Sequence, residues 1–302
     1  MKTSLSGRTA IVTGAGRGIG RATAHALAAM GANVVVNDLG AALDGAGSDS
    51  APAETVAREI RDAGGSAIAN RDSVAEWKSA GRIVEAARDT FGGVDILVNN
   101  AGLSVAKPIW EVDPELFDRV CDSHVKGTFY CTRHVVEPMM KQRWGRIVNI
   151  VSRAGIIGVA SNSAYGAGKG GVFGLTNVIA RDLAPHGITV NAVNPSSTET
   201  RMVTTAVETF RAQGGDAAVR AENLMKVAQQ PEDVAVLIAS LCSEEAAGIN
   251  GQIFFVAKSE IGLFQPLTLG QRRSKEGAWS VDELVAALGG FEPHPLETPY
   301  GR

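Results

Sequence analysis

The chain has 302 residues, 45% hydrophobic and 20% charged, so it can bury a sizeable core and is not a disordered tract. Against 29 basic residues stand 32 acidic ones, and the formal charge of -3 offers no general attraction to nucleic acid or an anionic membrane. Glycine is the outlier, with 35 residues or about 12% of the chain against roughly 7% on average, and no G-X-Y period makes them collagenous.

In chain order, the stretch from Met1 to Arg8 lacks the apolar core of a secretion signal. No apolar run approaches the roughly 18 residues that span a bilayer. Short apolar runs then alternate with helical stretches. Strands are expected at Thr9–Val12, Asn33–Asn37, Ser66–Asn70, Ile96–Asn99, Arg146–Val151, Thr189–Val193 and Gln252–Val256. Helices are expected at about 18–30, 52–63, 76–91, 114–141, 164–185 and 231–241. Runs such as Val34-Val35-Val36 and Ile96-Leu97-Val98 are apolar at every position, as strands buried on both faces of a parallel sheet are. The alternation predicts the α/β class, a doubly wound Rossmann-type fold with a seven-stranded parallel sheet flanked by helices.

Gly40–Pro52 reads as a mobile loop, and Pro195 to Pro231 as an irregular lid. Beyond Val256, Ser280-Val281-Asp282-Glu283 makes a capping box that opens a short helix through Leu288. Gly289-Gly290 ends it, and Pro293, Pro295 and Pro299 mark an extended tail. No linker divides the chain, so one Rossmann domain over 1–256 with an extension over 257–302 is expected. Cys121, Cys131 and Cys242 form no C-x-x-C pair and no disulfide framework, which fits reduced thiols in the cytoplasm.

The first strand runs into Thr13-Gly14-Ala15-Gly16-Arg17-Gly18-Ile19-Gly20 and then a helix. Glycines there let the backbone approach a pyrophosphate, while the helix N-terminus offers it unpaired N–H groups. Asp38 ends the next strand, 18 residues beyond Gly20. A carboxylate at that place accepts hydrogen bonds from ribose hydroxyls and repels a 2′-phosphate. Arg17 pulls the other way, toward a 2′-phosphate, but the carboxylate is the stronger influence, so NAD is expected over NADP. The loop lacks the G-K-[ST] ending of an ATP-type phosphate loop.

Tyr165 and Lys169 are four apart and so share one face of a helix. A tyrosine titrates near 10 and serves as an acid–base group at neutral pH only if its phenolate is stabilised, which an adjacent ammonium does. Ser152, at the end of the fifth strand, stands where it can hydrogen-bond a substrate oxygen beside Tyr165.

Together these residues resemble the short-chain dehydrogenase/reductase family from about Gly7 to Val256. The matching features are the loop from Thr13 to Gly20, Asn99-Asn100-Ala101-Gly102, Ser152, Tyr165 with Lys169, and Asn194-Pro195 followed by Thr200-Arg201-Met202. The resemblance implies that Tyr165 is the general acid/base, that Ser152 orients the substrate oxygen, and that Lys169 binds the nicotinamide ribose and lowers the Tyr165 pKa. It places Gly14, Gly16, Arg17, Gly18, Ile19, Gly20, Asp38, Asp72, Ser73, Asn99, Ala101, Gly102, Pro195 and Thr200 against the dinucleotide. Asp72 would face the adenine. A homo-oligomer, tetramer or dimer, is the family's usual state. Two departures stand out. His124, in His124-Val125-Lys126-Gly127-Thr128, replaces an Asn thought to hold a proton-relaying water. Its pKa near neutrality would suit a relay; equally, it can be a space-filling residue in a helix. Ser196 stands where the family often has Gly.

A narrower resemblance, carried by Val36-Asn37-Asp38-Leu39-Gly40, Gly64-Gly65, Ala69-Asn70-Arg71-Asp72-Ser73-Val74 and His124, is to the (3R)-hydroxyacyl-CoA dehydrogenase part of peroxisomal multifunctional enzyme type 2. The expected activity is hydride transfer between NAD and a secondary alcohol or ketone, with a hydroxyacyl-CoA or 3-oxoacyl thioester as the alternative substrate. A dinucleotide-binding regulator without turnover is the alternative of another class; Ser152, Tyr165 and Lys169 together argue against it. The five histidines form no metal-binding pattern, and no G-x-S-x-G serine hydrolase motif is present.

Overall fold

In the computed structural model, which describes residues 4–42 and 47–292, the apolar runs lie side by side in one sheet. In chain order the elements are β1 (Thr9–Thr13), α1 (Gly18–Ala29), β2 (Asn33–Asn37), α2 (Ala51–Asp62), β3 (Ser66–Asn70), α3 (Trp77–Phe91) and β4 (Ile96–Asn99). Then come α4 (Pro114–Cys121), α5 (Gly127–Gln142), β5 (Gly145–Ile150), α6 (Arg153–Ile156), α7 (Ser163–Leu183) and β6 (Ile188–Pro195). The remainder is α8 (Arg201–Gln213), α9 (Gly215–Val227), α10 (Pro231–Leu241), β7 (Ile253–Ala257), β8 (Glu260–Leu263) and α11 (Val281–Leu288).

The sheet order is β3-β2-β1-β4-β5-β6-β7-β8. The first seven strands are parallel, as the continuous apolar runs imply. Their residues alternate between two cores. Ala10, Val12, Val34, Val36, Ile96 and Val98 pack on one face with Leu27 of α1 and Ile238 of α10. Ile11, Val35 and Leu97 pack on the other with Ile83 of α3, Val135 of α5 and Leu183 of α7. The middle residues of β1, β2 and β4 are therefore apolar on both faces.

Among the described residues the sheet has eight strands, not seven. β8 pairs antiparallel with β7 through a turn in which Lys258 takes φ 55°. It escaped the sequence reading because it is a short edge strand with Ile261 and Leu263 exposed, which leaves no buried pattern to read. The single long helix expected over 114–141 is interrupted. Asp122–Lys126 is a π-turn between α4 and α5, and it carries the buried His124. The expected irregular lid holds two helices of 13 residues each, α8 and α9, of whose described side chains only Val207 and Ala221 are buried hydrophobics. So little burial leaves almost no periodic signal. At the base of the lid, buried Gln229 donates to the Thr198 hydroxyl and the Val256 carbonyl, and accepts from the Lys258 N–H at 2.7 Å.

Two compact units result, one up to Leu263 and one from Phe264 on. In the second, the capping box at Ser280 forms as expected and opens α11, which buries none of its residues. Gly45 and the tail prolines Pro293, Pro295 and Pro299 lie outside the described residues.

Near the carboxyl ends of the strands the core turns polar. Asn37 Nδ2 donates to Asn70 Oδ1 at 2.8 Å, Asn99 Nδ2 to Asn149 Oδ1 at 2.9 Å, and Asn149 Nδ2 to the Thr176 hydroxyl at 2.9 Å. Asn99, Asn149 and Thr176 are all buried, so each amide depends on its neighbour. Asn149→Ala should cost about 2 kcal/mol, because Asn99 loses one of its two acceptors and the Thr176 hydroxyl loses its donor. The measurement is a lower urea midpoint with unchanged slope; an unmoved midpoint would show that this row carries no stability.

Candidate active site

The site starts from the gap between β1 and β4, where the sheet order reverses and crevices for ligands form. Thr13 ends β1, and its hydroxyl accepts the N–H groups of Asn100 and Ala101, each at 3.1 Å, while donating to the Val98 carbonyl. The Asn100 amide in return donates to the carbonyls of Thr13 (2.9 Å) and Gly14 (3.0 Å). The turn after β1 and the turn after β4 are thus one hydrogen-bonded unit. Asn100 stood inside a motif in the sequence but received no role; Asn99, which did, bonds sideways to Asn149 and Thr132 in the sheet.

The glycines of the loop are there for proximity. A Cβ on Gly14 would lie 2.8 Å from Ala101 Cα, and one on Gly20 only 2.2 Å from the Gly14 carbonyl oxygen. On Gly16 it would meet Asp38 Oδ2 at 2.8 Å, and on Gly18 the Thr200 methyl at 2.9 Å. Asp38, just after β2, accepts the Gly16 N–H and the Gly40 N–H, both at 2.7 Å. Arg17, extended and exposed, precedes α1, and Ile19 packs on the core beneath. This cradle before a helix N-terminus fits a pyrophosphate, and the fixed Asp38 carboxylate fits a ribose beside it.

The remaining expected contacts are less uniform. Thr200 precedes α8 and lies on the glycine loop, and Pro195 ends β6. The Ser73 hydroxyl accepts the Ala75 N–H. The Asp72 carboxylate is engaged by Arg82 Nε at 2.6 Å and Asn70 Nδ2 at 2.9 Å. Near the end of β6, the side chains of Asn194, Ser196 and Ser197 carry buried polar atoms that have no partner among the described residues.

Ser152, Tyr165, Lys169 and His124 come together at the same edge of the sheet. Ser152 precedes α6, accepts the Ala154 N–H at 3.2 Å, and hydrogen-bonds the Tyr165 hydroxyl. Lys169, one turn along α7 from Tyr165, sends its buried ammonium to the Ile150 carbonyl at 2.6 Å, with Nζ 5.9 Å from the Tyr165 ring centroid. Burial lowers the Lys169 pKa to about 7. Burial likewise holds the Tyr165 phenol above 10, against a lowering from Ser152. Burial and the Ser152 hydrogen bond are thus the two influences on the Tyr165 phenol in the protein alone, and burial outweighs the bond.

The crowded glycines of α7 fit this packing. A Cβ on Gly168 would lie 3.1 Å from His124 Cδ2 and one on Gly171 2.6 Å from a Val125 methyl, while one on Gly155 of α6 would lie 2.3 Å from the Gly170 nitrogen of α7. Gly174 faces open space.

His124 departs most from expectation. Its ring stands edge-on to Tyr165, centroids 5.5 Å apart, and Nε2 meets the Leu103 backbone, 2.8 Å from the carbonyl and 3.2 Å from the N–H. Burial and the charge of Lys169 push its pKa down to about 3. That lies well below the near-neutral value expected from the sequence, because burial disfavours the charged imidazolium. Nδ1 is buried without a partner among the described residues, beside Gly102, whose Cβ would lie 2.0 Å from His124 Cε1.

Residues 8–210 match the family model for short chain dehydrogenases. The chain belongs to that family. As a short-chain dehydrogenase it is an oxidoreductase acting on CH–OH groups with a nicotinamide dinucleotide. It is 38% identical to a 3-oxoacyl-[acyl-carrier-protein] reductase of Synechocystis over 84% of its length and 97% of that protein. It is 34% identical to a hydroxyacyl-CoA dehydrogenase of Mycobacterium tuberculosis, over 95% of this chain and 89% of that one. It is also 39% identical to mouse peroxisomal multifunctional enzyme type 2, matching 85% of this dehydrogenase but 32% of the longer mouse protein. The crystal structure of a short chain dehydrogenase from Mycobacterium avium superposes with a TM-score of 0.81 at 36% identity, covering 98% of this chain and 99% of that one. Among the described residues no helix is long and apolar enough to cross a membrane, and no cluster of three metal-binding side chains occurs.

Two outcomes are expected from this geometry. Gly102→Ala should cost about 2 kcal/mol by overpacking against His124, and adding His124→Ala should return most of it. Thermal or urea unfolding of the single and double variants measures this, and strictly additive costs would show that the two residues do not share the space. Lys169 titrates at about 7 in the fold against 10.5 ordinarily, so between those values the unfolded chain binds more protons and stability rises with pH. Lys169→Met should flatten that rise; an unchanged pH–stability curve would contradict the assignment.

Proposed function

We propose that this dehydrogenase uses NAD and interconverts a secondary alcohol and its ketone, with a 3-hydroxyacyl thioester as the substrate class. The observation that carries the chemistry is the meeting of Tyr165, Ser152 and Lys169 at the edge of the sheet that bears the glycine cradle. The NAD preference rests on Asp38, whose carboxylate is fixed by two backbone N–H groups beside the loop, where a 2′-phosphate dianion would be repelled. The thioester reading draws on two kinds of relative, named for 3-oxoacyl reduction and for hydroxyacyl-CoA oxidation.

In the oxidation, Tyr165 takes the hydroxyl proton while the carbinol C–H bond breaks and its hydride departs. Reduction returns that proton from the Tyr165 phenol to the ketone oxygen. Ser152 holds the substrate oxygen beside Tyr165. When bound, the oxidised nicotinamide supplies the hydride acceptor and a positive charge that favours the phenolate. Lys169 holds the nicotinamide ribose, and its charge adds to that stabilisation. Gly14, Gly16, Arg17, Gly18, Ile19 and Gly20 form the pyrophosphate turn with Ala101 and Gly102 opposite. Asp72 and Ser73 shape the adenine side, Asn99 supports the loop on the cofactor side, and Pro195 and Thr200 shape the nicotinamide side. His124, neutral and wedged between two glycines, positions the Tyr165 ring rather than titrating.

Such a protein works in the cytoplasm, where its three free cysteines stay reduced. It assembles as a dimer or tetramer of identical chains, for which exposed Phe129 on α5 and Val178 on α7 offer apolar surface. Tyr165→Phe should lower turnover of a (3R)-hydroxyacyl-CoA by about a thousandfold or more while NAD affinity stays within about threefold. Steady-state rates and calorimetric titration with NAD and NADP measure both. Retained turnover would contradict the acid–base role, and tighter NADP binding the role of Asp38.

A further inference from the structure

The start of the lid is joined to the dinucleotide loop by more than Thr200. The next residue, Arg201, is exposed at the first position of α8, and its Nη2 donates to the Ala41 carbonyl at 3.0 Å. That bond joins the lid to the loop after β2, 160 residues apart in the chain. Asp38, which opens that loop, already accepts the Gly16 and Gly40 N–H groups. The Arg201 guanidinium feels the positive charge of Arg17 as well as the negative charge of Asp38, and burial with the Arg17 repulsion lowers its pKa. Arg201 thus has a second cation, Arg17, and one carboxylate, Asp38, for charged neighbours, and that carboxylate is committed to backbone donors. A guanidinium carries five N–H donors, of which the Ala41 carbonyl takes one. A cationic surplus above a helix N-terminus favours a phosphate group.

We propose that Arg201 is a cofactor-binding residue, which with Arg17 forms the cationic half of a phosphate site shared by lid and glycine loop and, through Ala41, latches the lid over the dinucleotide. The inference rests on the dinucleotide reading of the cradle and extends it to a side chain outside the expected contacts. An exposed arginine bonded to one carbonyl contributes little to the stability of the fold by itself. Its effect therefore shows on ligand binding. It also makes a distinction a lysine cannot meet, because one planar fork can hold a carbonyl and a phosphate oxygen together.

The test is calorimetric titration of the full chain and of Arg201→Gln and Arg201→Lys with NAD, ADP-ribose, adenosine 2′-phosphate and adenosine. Arg201→Gln should melt where the native chain does, yet bind NAD and ADP-ribose about tenfold more weakly, with adenosine unchanged. Arg201→Lys should recover only part of the loss. Weakening confined to adenosine 2′-phosphate would still assign Arg201 to a phosphate, but to one on the ribose. Affinities within twofold for every ligand would overturn the latch while leaving the dinucleotide site standing. A native chain that binds NAD and ADP-ribose no better than adenosine would overturn the pyrophosphate reading of the cradle, and the latch with it.

Discussion

Everything at the working edge of this molecule depends on one knot, the exchange of hydrogen bonds between Thr13 and Asn100. The parallel sheet reverses its order between β1 and β4, so the turns leaving those strands diverge and open a crevice. Left to themselves, two such turns would place backbone polar groups in a gap with nothing to bind them. The Thr13 hydroxyl holds the N–H groups of Asn100 and Ala101, and the Asn100 amide holds the carbonyls of Thr13 and Gly14. That reciprocal arrangement fixes the glycine loop against the turn that carries Gly102. Asp38 extends the same order to the end of β2 by accepting the Gly16 N–H, and Thr200 closes on Gly18 from the lid. No larger residue at the four glycines of the loop would leave these contacts in place.

Beside this knot, burial sets the proton chemistry. It discharges Lys169 toward neutrality, keeps the Tyr165 phenol protonated, and makes His124 neutral. All three shifts disfavour charge, as a low-dielectric site demands. An arriving positive group would change that balance most at Tyr165, where the phenolate is the species to be stabilised. The protein's part is to hold the geometry: Ser152 on the hydroxyl, Lys169 anchored to the Ile150 carbonyl, and His124 edge-on to the ring. The π-turn at 122–126 carries His124 into this place, and the absence of side chains at Gly102 and Gly168 gives it room. The crowded glycines of α7 thus account for part of the glycine surplus in the composition.

The sheet was legible because its strands are buried on both faces, and a run such as Val34-Val35-Val36 has little other use. The glycine loop and the Tyr165–Lys169 spacing were legible because each is a short local pattern, and because a strand before, a helix after and Ser152 nearby gave them a context. What escaped reading depends on long-range contact. Asn100 looks like its neighbour Asn99 in sequence, and only the fold sends one toward the glycine loop and the other into the amide row. A π-turn has no signature in Asp122-Ser123-His124-Val125-Lys126, since it follows from packing against α7. The titration of His124 could not be read either, because its ordinary value is set by water and the site excludes water. β8 and the lid helices bury too little to leave a periodic trace.

The central claim, that this knot and the residues beside it perform hydride transfer from a carbinol carbon, is tested most directly by an isotope effect. The measurement is the single-turnover rate of nicotinamide reduction with a (3R)-hydroxyacyl-CoA bearing either hydrogen or deuterium at the carbinol carbon. The account predicts a clear slowing with deuterium in the native chain. Nicotinamide reduction at equal rates with both substrates would place bond breaking elsewhere, and no reduction with this or any secondary alcohol would contradict the account at its root.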